Sequence, residues 1–287
     1  MNYSALIQNR KSVRAFSDKY VPFEDLDKIK AYYHKSVRRL FPEVETELRV
    51  FGLDARAVLE GAAGYKQFLV GAPQYLVLLS ASHDHAGENA GYIMEDLILK
   101  LTDMGLDSCW LTFTDSEYVK TALEIESELD VAAVVAFGYG LKTTKRLRFN
   151  VRSMSNVDVS AQRRYFQPKL GLHDMVFMDS WGNSDGVDEY IGFYDDMLWE
   201  AFYAASLSPS YLNRQPYGFI IHDGRLTLVE KPDGYTLDID AKLGLGIVLL
   251  HFSAVAEEWR GNVFWQFGDS SDLQLPEGYR VISSCAL

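Results

Sequence analysis

SPSYLNRQPY, residues 208–217, sets two prolines, two serines, an asparagine, an arginine and a glutamine directly ahead of the apolar run GFII. A surface loop that only leads into a strand needs few hydrogen-bonding side chains, so this density asks for a reason. Composition alone leaves two readings open. Proline and asparagine favour turns, so Ser208, Pro209 and Ser210 would simply cap and stop a preceding helix. Alternatively, the polar groups of the loop face a ligand.

Working outward, the spacing predicts a helix over residues 195–206 before the loop. After it comes a strand over 219–222, which turns at Asp223, Gly224 and Arg225 into a second strand over 226–229, a hairpin pattern. An amphipathic helix is expected over 240–259, followed by Gly261 and the aromatic run VFWQF, residues 263–267. The first half of the chain has a similar succession. Leu26, Ile29, Tyr33, Val37 and Leu40 recur at helical spacing after Pro22, with acids early and bases late to suit the helix dipole. The apolar run 75–79 reads as a buried strand. Ile93, Met94, Leu97, Ile98 and Leu101 mark a long buried helix over 90–104, stopped by Gly105. Extended segments are expected over 109–113 and 131–137. Helix, glycine turn and aromatic strand thus occur twice, roughly 150 residues apart, which points to an internal duplication. The expected join lies between residues 142 and 160, with halves at 1–152 and 153–287.

Composition bounds the partners. The chain of 287 residues carries 28 Lys and Arg against 40 Asp and Glu, a net charge of -12. That balance disfavours nucleic acid or an anionic membrane as the main partner. Two cysteines, Cys109 and Cys285, show neither a disulfide framework nor a zinc-ligand spacing. The first ten residues lack an apolar core of signal-peptide length, and the longest apolar run, 244–256, is short for a membrane span and contains His251. A reducing cytoplasm is the expected compartment.

A second stretch, RKSVR at residues 10–14, gathers three cations and a hydroxyl in an acidic protein. In an extended segment Arg10, Ser12 and Arg14 share one face. They would suit a phosphate, since arginine presents a planar fork of donors. A solvated basic turn is the alternative that composition leaves open.

Together the two stretches resemble signatures of the nitroreductase family of FMN-dependent oxidoreductases. RKSVRAF, residues 10–16, is similar to that family's R-R-S-x-R-x-F. Residues 208–217 are similar to A-P-S-x-x-N-x-Q-P-W, and GLDSCW, residues 105–110, to a helix-terminating G-L-G-S-C-W. Lys11, Ser208, Asp107 and Tyr217 depart from those patterns. A larger departure is the spacing: the family usually places the P-S-x-x-N loop one helix after the arginine signature, where residues 37–44 here read VRRLFPEV and lack the asparagine. The resemblance is therefore to single-chain, internally duplicated members, two fused subunits forming a pseudo-dimer, for which a monomer is possible. The implied fold is α+β, two similar halves, each with a mainly antiparallel sheet and helices. One site would survive, with the arginine signature from the first half and the loop from the second.

The resemblance assigns roles residue by residue. Arg10, Lys11 and Ser12 would hold the ribityl chain and phosphate of FMN, and Arg14 would reach the pyrimidine end of the flavin, where a cation favours the anionic reduced form. Pro209, Ser210, Tyr211 and Asn213 would line the isoalloxazine and ribityl oxygens. Arg146 and Arg148, in the basic run KTTKRLR at 142–148, are the further candidates for the phosphate; a solvated linker is the competing reading. The implied chemistry is hydride transfer from NADH or NADPH through the flavin to a nitroaromatic, quinone or similar acceptor. A non-catalytic flavin-binding or sensing protein, or a different flavin reaction such as dehalogenation or flavin fragmentation, are the alternatives. No nucleotide-binding, hydrolase or zinc-protease motif competes. The pairs Gly138, Gly140 and Gly244, Gly246 read as close-packing glycines. His83, Asp84, His85 and Glu88 lie in a polar loop without further ligands nearby, so no metal is expected. Residues 43–67 and 166–194 are expected to shape the acceptor pocket, the second as a lid.

Overall fold

The computed structural model describes residues 1–64, 69–141, 146–153, 156–162, 168–193, 196–268 and 273–287, with side chains described outside 142–167. The chain opens with helices α1 (Tyr3–Asn9) and α2 (Phe23–Lys35). Strand β1 (Thr46–Phe51), helix α3 (Ala55–Leu59), strand β2 (Gln74–Ser80) and helix α4 (Ala86–Asp103) follow. Then come β3 (Asp107–Leu111), α5 (Ser116–Ala122) and β4 (Asp130–Gly138). The hairpin β5 (Arg146–Ser153) and β6 (Asn156–Gln162) spans the expected join at 152. The second half holds β7 (Val176–Met178), α6 (Val187–Gly192), α7 (Met197–Ser206), β8 (Tyr217–His222) and β9 (Arg225–Glu230). Helix α8 (Asp238–Ala256) and strands β10 (Gln266–Phe267) and β11 (Arg280–Ala286) complete it.

The two halves repeat one plan. The first sheet runs β1-β2-β4-β3 and the second runs β10-β11-β9-β8-β7. Taken from the hairpin strands outward, β8-β9-β11-β10 has the same order and the same antiparallel pairing as β1-β2-β4-β3. Only β7 is extra, a short parallel addition beside β8. In each half the long helix, α4 or α8, leads from the second strand to the outer one.

Strand β2 is buried at every position because its two faces meet two cores. Leu76 and Leu78 pack with α2 and α4, whereas Tyr75, Val77 and Leu79 face Leu59, Val119 and Leu123 on the other side. The hairpin β8-β9 turns through Asp223 at φ 47 and Gly224 at φ 68, the left-handed pair that a two-residue turn requires.

At the centre α4 lies against α8, close enough that a Cβ on Gly246 would sit 1.9 Å from the Glu88 carbonyl oxygen. A Cβ on Gly91 would sit 2.2 Å from that of Leu243. The close-packing reading of Gly246 therefore holds, while Gly244 has open space at that position. The halves are intertwined around this pair. Ile7 of α1 is buried in the second-half core, and Leu243 of α8 in the first-half core.

Several expectations change in detail. Helix α2 stops at Lys35, short of Val37 and Leu40, because α4 side chains capture the following backbone: Asp96 accepts from the Arg38 N–H and Asn89 from those of Leu40 and Phe41. Of the aromatic run after Gly261, only Gln266 and Phe267 pair as strand. Helix α8 is long and apolar enough to cross a membrane, with mean hydropathy 1.6, yet 78% of that window is buried inside the protein. The described part of the expected lid, 168–193, is tied to the core instead: β7 extends the sheet, and Met175, Val176, Val187 and Ile191 are buried.

Candidate functional site

Arg10 closes α1, its N–H donating to the Leu6 carbonyl, and the chain then runs extended. Ser12 bridges Ser108 of β3 in parallel, with Val13 N–H donating to the Ser108 carbonyl at 2.9 Å. Further on, Leu141 N–H donates to the Ala15 carbonyl and Ser17 N–H to that of Tyr139. This pinning turns Val13 and Phe16 inward against the sheet and leaves Lys11, Ser12 and Arg14 exposed. Lys11 and Arg14 have no ion-pair partner among the described residues.

Arg10 behaves differently, with a side chain only 8% exposed. Its Nε lies 3.3 Å from Glu95 Oε1, out of hydrogen-bond alignment, and its Nη1 lies 3.5 Å from Ser12 Oγ. Glu95 is fully buried on α4. Its Oε2 accepts from Trp110 Nε1 at 2.8 Å, and its Oε1 lies 3.1 Å from His251 Nε2 of α8. Burial pushes the Glu95 carboxyl up, but Arg10, His251 and Trp110 more than offset it, so its pKa lies below the ordinary carboxylate value. His251 in turn places Nδ1 3.0 Å from Ser208 Oγ and 3.1 Å from the Ala204 carbonyl. Ser208 is the first residue of the quoted stretch. The arginine segment and the loop, about 200 residues apart in sequence, are thus joined by a continuous chain of buried polar contacts.

Lys169 enters from the second half and donates to the Ser208 carbonyl at 2.7 Å. Burial, reinforced by the nearby Arg10 charge, lowers its pKa to about 8. Glu95, His251 and Lys169 were not among the residues singled out from sequence. For Glu95 and His251 the available signal was a charged or imidazole side chain inside a helix of largely buried residues, a placement that needs a partner, whereas Lys169 lies outside any helix and offered no such signal.

The loop spends much of its polarity on its own shape. Gln215 N–H donates to Ser210 Oγ at 2.9 Å, and the Gln215 amide bridges the Ser206 carbonyl and the Leu170 N–H. Asn213 Nδ2 donates to the Pro168 carbonyl at 2.7 Å. These bonds hold Leu212, Asn213 and Gln215 at φ 49, 57 and 46, left-handed conformations that side chains other than glycine adopt only under constraint. Pro209 and Tyr211 are half-buried beside them. A cleft of about 470 Å³ opens at the far end of the loop, between Trp181, Arg214, Tyr217 and Asp233. Arg146 and Arg148 lie on β5, and their side chains fall outside the described residues.

The matching stretch of the first half is closed off. The Arg38 guanidinium pairs with Glu257, and Asp96 accepts from the hydroxyls of Tyr3 and Tyr32 at 2.9 Å each, besides the Arg38 N–H. His83 and His85 do not converge on a common point but pack against Phe41 and Phe267. Among the described residues no group of three or more His, Cys, Asp and Glu is placed to hold a metal. Cys109 is buried, and that burial raises its thiol pKa, as expected of a packing cysteine.

This duplicated α+β fold joins a cationic segment to a polar loop across its central helix pair, and the family comparison makes the chain an oxidoreductase of nitroreductase type. The family model described as "Putative TM nitroreductase" matches residues 2–167, more than half of the chain, and the protein belongs to that family. A "putative nitroreductase" from Thermotoga maritima, 18% identical, superposes with a TM-score of 0.58 over 100% of this chain and 94% of its own. An "FMN-dependent Nitroreductase" from Clostridium difficile, 20% identical, covers 48% of this chain and 88% of its own at a TM-score of 0.43. A nitroreductase family protein from Streptococcus pneumoniae, also 20% identical, covers 51% and 96% at 0.42. No curated protein matches.

Proposed function

We propose that this nitroreductase-family protein binds one FMN per chain and uses it for NADH- or NADPH-dependent reduction of a small conjugated acceptor. The observation that carries this reading is the convergence of the Arg10 segment with the Ser208 loop through Glu95 and His251. The residues present fit the group. Lys11 and Arg14 are exposed with no ion-pair partner among the described residues, Arg10 keeps an unaligned Nε, and the Ser12 hydroxyl stands on the same segment. That set offers charge-assisted donors to a phosphate and to a flavin edge. When bound, FMN supplies the hydride-transfer chemistry. Arg10, Lys11 and Ser12 hold its phosphate and ribityl end, aided by Arg146 and Arg148. Arg14 supplies a fixed positive charge toward the pyrimidine edge, which favours the reduced anion. Pro209, Ser210, Tyr211 and Asn213 form the opposing wall, their positions set by the bonds internal to the loop. In the same reading the chain divides near residue 152, works as a pseudo-dimer on its own, and acts in the cytoplasm on a diffusible acceptor.

The single site follows from the fate of its counterpart. In the first half, where residues 37–44 lack the loop asparagine, the Arg38 guanidinium pairs with Glu257, Asp96 accepts from the Arg38 N–H and Asn89 from the Leu40 N–H. The test is Arg14→Ala, an exposed substitution that leaves the fold intact. Loss of one charge-assisted contact predicts an FMN affinity lowered about 10- to 100-fold. An unchanged flavin affinity in that variant, with Lys30→Ala as the control cation, would overturn the assignment.

A further inference from the structure

Two buried residues that no family motif includes stand between the two walls of the proposed site. Glu95 comes from α4 in the first half and His251 from α8 in the second, and both side chains are 0% exposed. Glu95 Oε1 is shared between Arg10 Nε at 3.3 Å and His251 Nε2 at 3.1 Å, while Trp110 Nε1 fixes the other oxygen at 2.8 Å. On the far side His251 Nδ1 meets Ser208 Oγ at 3.0 Å and the Ala204 carbonyl at 3.1 Å. Lys169 holds the Ser208 carbonyl from outside at 2.7 Å. Neither Glu95 nor His251 is needed for packing alone. Glu95 sits beside buried Asp96 on α4, whereas most α8 residues around His251 are apolar, and an apolar pair of similar volume would fill the same space without the expense of desolvating a carboxylate.

The geometry points to Glu95 and His251 as positioning residues, a buried strut that fixes the Arg10 segment and the Ser208 loop in one relative placement before any cofactor arrives. The inference rests on the FMN reading for its functional consequence, although the strut itself does not. A preformed site avoids the ordering cost of bringing two chain segments together on binding. The two segments come from different halves, and α1 crosses into the second core, so this is the point at which slippage between α4 and α8 would separate them. Removing one member of the strut leaves the other as a buried polar group without its partner, and the segment that depended on it loses its anchor. The effect is carried through bonds. It therefore differs from a loss of packing in being repairable by a side chain that restores the hydrogen bonds.

Three variants of the full chain test this: Glu95→Gln, His251→Phe and His251→Gln, each first verified as folded by near-UV circular dichroism. FMN binding is read by quenching of flavin fluorescence. The expected result is a weakening of about tenfold or more for His251→Phe and Glu95→Gln, with His251→Gln recovering most of the loss because its amide can both donate and accept. The second readout is amide hydrogen exchange of the cofactor-free protein. In His251→Phe, exchange should quicken across residues 11–16, which reach His251 through Arg10 and Glu95, as well as near the loop. Normal FMN binding by the wild type together with equal binding by His251→Phe would overturn the strut. So would faster exchange confined to residues 204–213. If the wild type binds no FMN, the flavin reading falls, and the exchange pattern alone decides the strut.

Discussion

At the scale of single residues, the polar groups that matter are those the apolar helices cannot ignore. Glu88 lies in the first turn of α4, is 4% exposed and leaves Oε2 without a hydrogen-bond partner among the described residues. Burial raises its pKa from 4.5 to about 7. The folded state therefore holds this proton more tightly than the unfolded chain does, so the stability linked to it is fully present below pH 4.5 and is lost as pH rises to about 7. Glu88→Gln, which keeps the shape of the protonated acid, should flatten the stability curve across that window. It should also stabilise the protein above neutrality by on the order of 1–3 kcal/mol. Denaturant unfolding at a series of pH values measures it; an unchanged slope would show that Glu88 is not the titrating group. The same scale explains what the sequence left hidden in the site. RKSVR and SPSYLNRQPY are legible because their residues are unusual for a surface turn, whereas Glu95, His251 and Lys169 gain meaning only once folding brings α4, α8 and the 168–170 segment together.

At the scale of elements, the structure is organised by the contact of α4 with α8. Glycine is required where backbone meets backbone and dispensable two residues away, on the opposite face of the helix. Gly246→Ala would drive a methyl to within 1.9 Å of the Glu88 carbonyl oxygen, whereas at Gly244 nothing lies within 4 Å. The first substitution should destabilise by about 3 kcal/mol through forced separation of the helices. The second should stabilise by ~0.5–1 kcal/mol through helix propensity. Thermal melts of the two variants compare them directly, and equal losses would mean that the helices do not cross at Gly246. Sequence patterning read β2, β4, β8, β9, α4, α7 and α8 well, because each is a continuous or periodic apolar segment. It missed β1, whose half-buried edge position lets Glu47 and Arg49 interrupt the pattern, and β11, where Ser283 and Ser284 occupy buried positions. It overran α2, since no local signal shows that Asp96 and Asn89, more than 45 residues away, will take the next backbone N–H groups.

At the scale of the whole molecule, the two sheets of one chain share a strand order and meet across the pair α4 and α8. The repeated helix, glycine and aromatic succession was visible in the sequence, and the common strand order of the two sheets gives it a structural basis. The intertwining of the halves was expected from the family resemblance and not from the residue pattern, because α1 is too short a helix for its pattern to reveal which core receives Ile7. The first-half stretch now bonds Arg38 to Glu257 and fills Asp96 with two tyrosine hydroxyls, while the arginine segment and the second-half loop remain joined. The central claim is that this leaves a single, working flavin site per chain. An anaerobic titration of the FMN-reconstituted protein with NADH and then NADPH, followed by flavin absorbance, tests it most directly. One flavin per chain should bleach with at least one donor and recover when a quinone or nitroaromatic is added. Two flavins per chain, bound flavin that never bleaches, or no bound flavin at all would contradict it.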